Sequence, residues 1–324
     1  MLISVLLFAV GLVLLIKGGD WFVDGATGIA KRFNLPDIVV GATVVSIGTT
    51  LPEVMVSTTG ALQGSGAMAY GNAIGSIICN TSLIAAISIV CNPGPVNTKS
   101  MKTPAIFFFC SAALYCVASY FLGEFPRWMG FVMLGVFAVY MVLTVRNGMK
   151  NPDSVETEEE EGGKERKLWQ ELVLLVVGAA VIAVGADLLV EHGQVIALGL
   201  GVPETVVALL FVALGTSLPE LVTTITSLRS GHASLGVGNV IGANVFNLVL
   251  VSGVAVSLAP FPVPMENELL NTGLNMSLVF EIPVMLGVMS LMIFPTLASK
   301  KLSRWQGIAL LCIYAAFCVC QFIL

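Results

Sequence analysis

The sequence predicts an all-α membrane protein whose ten transmembrane helices form two inverted five-helix repeats. Three observations carry that expectation. The 324-residue chain is 56% hydrophobic and only 11% charged, with a mean hydropathy of +0.94, too few charges to cover a water-exposed surface. Apolar stretches near the length that crosses about 30 Å of hydrocarbon recur from end to end. Two blocks of sequence also return further along the chain at one constant spacing.

In chain order the spans are read at 2–23, 34–60, 67–91, 103–122, 127–146, 168–190, 204–228, 234–258, 272–295 and 305–323. They are long and continuously apolar, which favours helices over the short alternating segments of a barrel. The first, MLISVLLFAVGLVLLI, lacks a basic leader and runs into KGGDWFVDG rather than a small-residue cleavage site, so it is read as a retained span. With the N-terminus outside and ten crossings, 14 of the 15 basic residues fall on the inner side. These are Lys17, Lys31, Arg32, Lys99, Lys102, Arg146, Lys150, Lys164, Arg166, Lys167, Arg229, Lys300, Lys301 and Arg304, leaving Arg127 outside. That bias is the positive-inside rule, and it puts both termini outside. The seven cysteines lie in or beside apolar spans without metal-ligand spacing and read as small packing residues.

The repeat has no gap in its offset. PDIVVGATVVSIGTTLPE (36–53) matches PETVVALLFVALGTSLPE (203–220) at 9 of 18 positions, and GNAIGSIICN (71–80) matches GNVIGANVFN (238–247) at 5 of 10. Asp20 falls on Asp187 at the same spacing. The chain therefore divides into a first transmembrane repeat, 1–146, an acidic cytoplasmic linker, 147–167, and a second repeat, 168–324. Five spans per repeat is an odd number, so the second must enter the membrane from the opposite side. The linker, with NPDSVETEEEEGGKERK at 151–167, reads as a solvated charged segment.

An ionised glutamate deep in a span costs at least a few kcal/mol unless a ligand, proton or partner charge offsets it. Glu53 and Glu220 have no lysine or arginine well inside a span to pair with, so a bound cation is the natural counter-charge. Thr49, Thr50 and Glu53 fall at i, i+1 and i+4 on a helix, and Thr216, Ser217 and Glu220 repeat the pattern. Pro52 and Pro219 cannot donate to the carbonyls four residues back, which exposes backbone oxygens around 46–50 and 213–217. Ser76 and Asn80 share a helix face, as do Ala243 and Asn247. Each hydroxyl alone could back-bond its own helix and each proline alone could be a kink; the pair of acids gives the set its meaning. All donors are oxygens, and His192 and His232 lie near span ends, which suits hard cations such as Ca²⁺ and Na⁺.

At these residues the sequence resembles the cation/calcium antiporter superfamily, in its prokaryotic sodium/calcium exchanger branch. The resemblance rests on GTTLPE with GNAIGSIICN and on GTSLPE with GNVIGANVFN, and spans the whole chain in span count, linker position and repeat spacing. It implies an antiporter that alternates Ca²⁺ and Na⁺ at a central cluster, with no cofactor, no nucleic-acid partner and no enzymatic activity. It implies a monomer in the plasma membrane of a prokaryote. By motif position it makes Glu53 and Glu220 shared calcium and sodium ligands, Thr49 and Thr216 donors of carbonyl and hydroxyl oxygens, and Thr50 and Ser217 sodium ligands. The carbonyls of Ser46 and Ala213 and the hydroxyl of Ser76 complete sodium sites, and Asn80 and Asn247 complete the centre. The first and sixth helices would slide as gates. The chain departs from the pattern in having Ala243 where serine is frequent and Asn247 where aspartate is frequent, which alters the expected sodium count. The alternative is a proton/calcium, or other divalent cation, exchanger. A channel filter or a membrane enzyme fits less well, since one chain supplies both halves of a site and no nucleophile–base pair occurs in the spans.

Overall fold

The computed structural model describes residues 2–150, 166–200, 215–264 and 275–323. These form helices α1 (Leu2–Phe33), α2 (Asp37–Thr49), α3 (Leu51–Leu62), α4 (Gly66–Cys91), α5 (Thr98–Leu122), α6 (Arg127–Lys150), α7 (Leu168–Gly199), α8 (Leu218–Arg229), α9 (Ala233–Leu258), α10 (Ser277–Ser299) and α11 (Arg304–Ile323). Eight of the helices are long and apolar enough to cross a membrane, and α2 with α3 makes a ninth span bent by 46°. The chain is thus a helical integral membrane protein. Of the ten expected spans, the seventh is seen only as α8, because 201–214 lies outside the described residues, as does most of the acidic linker.

Polarity is distributed inside-out for a soluble protein. Leu6, Val13, Phe131, Val142, Val176 and Phe294 face outward, while Thr49, Glu53, Asn80, Glu220, Asn239 and Asn247 are buried. In lipid the outer surface need not be polar, and the interior is where polar groups find partners.

The two repeated blocks adopt the same local backbone. A break after Thr50 (φ −87°, ψ −1°) starts α3, and one after Ser217 (φ −92°, ψ 3°) starts α8. Each of these helices carries proline in its first turn, where the missing N–H costs nothing. Each ends at a left-handed glycine, Gly64 (φ +84°) or Gly231 (φ +81°). A Cβ at Gly64 would meet nothing within 4 Å, so Gly64→Ala tests the backbone alone. It is expected to lower stability by about 1–2 kcal/mol, read as a fall in Tm with transport retained. Wider π-helical turns then begin at Asn80 and at Asn247.

Two antiparallel bridges tie the halves. β1 (Gly94–Pro95) pairs with β4 (Lys301–Leu302), and β2 (Glu124–Phe125) pairs with β3 (Phe261–Pro262). Each joins a strand from the first half to one from the second.

α1 and α7 are both 32 residues long and pack along each other. Their glycines make this possible. A Cβ at Gly11 would lie 2.9 Å from the Gly185 carbonyl, and one at Gly178 would lie 2.9 Å from the Gly18 carbonyl. Small residues allow such backbone contact between helices in lipid, where packing rather than hydrophobicity drives association. Hydropathy ends the first span near 23, yet α1 continues to Phe33, and Lys17, expected at the inner side, sits in mid-helix beside Asp20. The polar extension is held to the start of α7: Arg32 donates to the Arg166 carbonyl at 3.0 Å, and Arg166 pairs with Asp24 at 3.4 Å. α6 likewise continues through Lys150, past the expected end at 146.

Candidate functional site

The breaks at Thr50 and Ser217 bring the polar ends of α2, α3 and α8 into the middle of the bundle. Pro52 interrupts the ladder there, but the interruption is narrower than expected: the Ser46 carbonyl still accepts from Thr50 N–H at 3.0 Å, leaving one lone pair. Glu53 and Glu220 are both completely buried. Among the described residues, none of the four carboxylate oxygens has a hydrogen-bond partner, and no ion pair includes either acid. Glu281, a half-buried acid on α10, is the contrast. Its oxygens accept from Ser277 at 2.7 Å and from Gln321 at 3.2 Å.

Several of the other expected donors sit on elements packed against the two acids. Thr49 lies beside Glu220, and Ser217 lies beside Cys79, the residue preceding Asn80. The π turn that begins at Asn80 packs on α8, which bears Glu220, and the turn that begins at Asn247 packs on α3, which bears Glu53. Among the described residues, the hydroxyls of Thr50 and Ser217 and both amide atoms of Asn80 and Asn247 are buried without partners. Ser76 is buried, and Thr216 is half-buried. Ser46 is turned away from a ligand role by its side chain, which donates to the Gly41 carbonyl at 2.8 Å. Ala213 lies outside the described residues. The glycines of α9 allow close approach to α2: a Cβ at Gly242 would strike Ser46 Oγ and Ala42, and one at Gly238 would strike Ile38. No described residue lies against Gly71 or Gly75.

Concentrated orphan oxygens of this kind are costly in a low-dielectric interior unless a cation joins them. With no cluster of three or more His, Cys, Asp and Glu among the described residues, the set is weighted toward hydroxyl, amide and carboxylate oxygen. That donor set suits hard cations. A small cleft adjoins it, lined by Phe22 of α1, Gly48, Thr49 and Pro52, Ala179, Ile182 and Ala183 of α7, and Pro219. Phe22 sits over Gly48, where an added Cβ would meet its ring at 2.9 Å.

Two residues outside the expected set are bound into it. Asn239 accepts from Thr49 at 3.2 Å. Asn72 donates to Ser57 Oγ at 2.8 Å and to the Glu53 carbonyl at 3.3 Å, and accepts from Thr216 at 3.4 Å. Their signal was present in the sequence, since both are the asparagine of the repeated Gly–Asn pair.

The family model described as sodium/calcium exchanger protein matches residues 3–146 and 171–323 of this chain. An uncharacterized membrane protein of Methanocaldococcus jannaschii is 34% identical over 310 residues, covering 95% of this chain and 94% of that protein. The sodium/calcium exchanger MaX1 of Methanosarcina acetivorans is 29% identical over 359 residues, covering 99% of each. Among solved structures, the sodium-calcium exchanger NCX_Mj soaked with Na⁺ and Sr²⁺ superimposes with a TM-score of 0.79 at 32% identity, over 97% of both chains.

Proposed function

The chain belongs to the sodium/calcium exchanger protein family, and we propose from that premise that it exchanges Ca²⁺ for Na⁺ by alternating access at a mid-membrane, all-oxygen site. The observation that carries the reading is the buried pair Glu53 and Glu220, with four carboxylate oxygens unpartnered among the described residues. Two negative charges are neutralised by one Ca²⁺ or two Na⁺, so either cargo satisfies the same groups and the two exclude each other. Thr49, Thr216, Thr50, Ser217, Ser76, Asn80 and Asn247, with the carbonyls of Ser46 and Ala213, complete the ligand set. The Ser46 side chain takes no part; its carbonyl keeps one lone pair for a cation.

The architecture is two inverted five-helix repeats, 1–146 and 168–324, joined by the cytoplasmic linker 147–167. The recurrence of breaks, glycine turns and π turns in the two blocks supports it, as do the bridges from one half to the other. In such a pair, exchanging the conformations of the halves turns an outward-open site inward. α1 and α7, which wall the cleft, are the gates. The protein sits in the plasma membrane of a prokaryote with both termini outside and works as a monomer, since one chain supplies both acids.

Vesicles holding the purified protein are expected to accumulate radiolabelled calcium when sodium is loaded inside, and not when only a proton gradient is imposed. Equal uptake under a proton gradient without sodium would transfer the reading to a proton/calcium exchanger.

A further inference from the structure

Asn72 and Asn239 stand at equivalent positions in the two copies of the Gly–Asn block, and neither belongs to the ligand set above. Their hydrogen bonds cross between the halves reciprocally. Thr49 of the first half donates to Asn239 Oδ1 of the second at 3.2 Å, and Thr216 of the second half donates to Asn72 Oδ1 of the first at 3.4 Å. Thr49 and Thr216 are themselves equivalent, so one contact is the other with the halves exchanged.

The direction of these bonds matters because a hydroxyl has one hydrogen and two lone pairs. Three other buried hydroxyls in the spans, those of Thr43, Ser82 and Thr296, each donate to the carbonyl four residues back. Thr49 and Thr216 donate instead to a side-chain oxygen of the opposite half. A threonine whose hydrogen is fixed in this way has its lone pairs left for a cation, as outer partners orient the ligands of metal sites. Asn72 also holds the Glu53 carbonyl and Ser57, so it links the helix of one acid to the threonine of the other half.

We propose that Asn72 and Asn239 are positioning residues: each accepts the hydroxyl proton of the opposite half's threonine and so aims Thr216 and Thr49 at the transported cation. This rests on the exchanger reading and on the two threonines as ligands.

The test is a pair of double-mutant cycles on the full-length protein in vesicles, reading initial rates of sodium-driven calcium uptake against calcium concentration. Asn239→Ala and Asn72→Ala are expected to raise KM for calcium about tenfold, with a smaller change in kcat. Asn239→Ala combined with Thr49→Val should be no worse than Thr49→Val alone, and Asn72→Ala with Thr216→Val should behave likewise. The crossed combination, Asn239→Ala with Thr216→Val, should multiply the single effects. Should the alanine variants fail to fold, Asn239→Asp and Asn72→Asp keep the acceptor oxygen, and on these backgrounds Thr49→Val and Thr216→Val should retain their full effects. Multiplicative effects in the matched pairs, or a threonine effect abolished on the aspartate backgrounds, overturn the proposal while sodium-driven uptake by the wild type leaves the exchanger reading standing. Wild-type vesicles without sodium-driven uptake overturn both.

Discussion

Glu53→Gln and Glu220→Gln are each expected to abolish sodium-driven calcium uptake, by at least about a hundredfold, without unfolding the protein. The magnitude follows from burial. Both carboxylates are fully shielded from solvent, with no partner for any of their oxygens among the described residues, so a bound cation interacts with each in a medium of low effective dielectric. Removing one member of a buried charge pair costs about 3–5 kcal/mol, and about 3 kcal/mol is already two orders of magnitude in affinity. Stability should move the other way when cations are absent. Without a cation each fully buried carboxylate carries an unrelieved desolvation cost, and a neutral amide of the same shape lowers it at one of the two. A thermal melt in cation-free buffer should therefore give either variant a Tm no lower than that of the wild type. Calcium should raise the wild-type Tm and leave that of the variants nearly unchanged. Normal uptake by either variant would remove that acid from the site. Glu281→Gln is the control, because its carboxylate already has two hydrogen-bond partners; it should transport close to normally.

Gly18→Leu is expected to be comparably damaging to transport for a steric reason. A Cβ at position 18 would lie 2.9 Å from the backbone nitrogen of Ile182 and 3.1 Å from the Gly178 carbonyl. Backbone cannot yield as a flexible side chain does, so α1 and α7 must separate. Overpacking of this kind costs about 1–3 kcal/mol, and here the displaced helices carry Phe22, Ala179, Ile182 and Ala183, which wall the cleft beside Thr49 and Pro52. Uptake should fall at least about tenfold, with a lower Tm. Gly287→Leu is the matched control. It lies on α10, where a Cβ meets nothing within 4 Å, and it should leave both measurements unchanged. Equal behaviour of the two variants would mean that the α1–α7 contact is not a constraint on transport.

The constant repeat spacing made much of this protein legible before any coordinates. The helix breaks at Thr50 and Ser217, the glycine turns at Gly64 and Gly231 and the π turns at Asn80 and Asn247 all recur at that spacing, because backbone conformation there is set by local chemistry. Proline lacks a donor, and glycine tolerates positive φ. The helix lengths were less legible. α1 runs ten residues beyond its apolar end, from 23 to Phe33, because Arg32 and Asp24 meet Arg166, and hydropathy carries no information about such pairing.

By itself, then, the sequence determined that the chain lives in a bilayer, that two of its blocks recur at one spacing, and that Glu53 and Glu220 stand within apolar stretches; composition, periodicity and charge are properties of neighbours along the chain. Only the tertiary structure decided what those acids and hydroxyls meet. Thr49 finds Asn239 across 190 residues and Thr216 finds Asn72 across 144, and a contact between residues so far apart along the chain has no local signal to read.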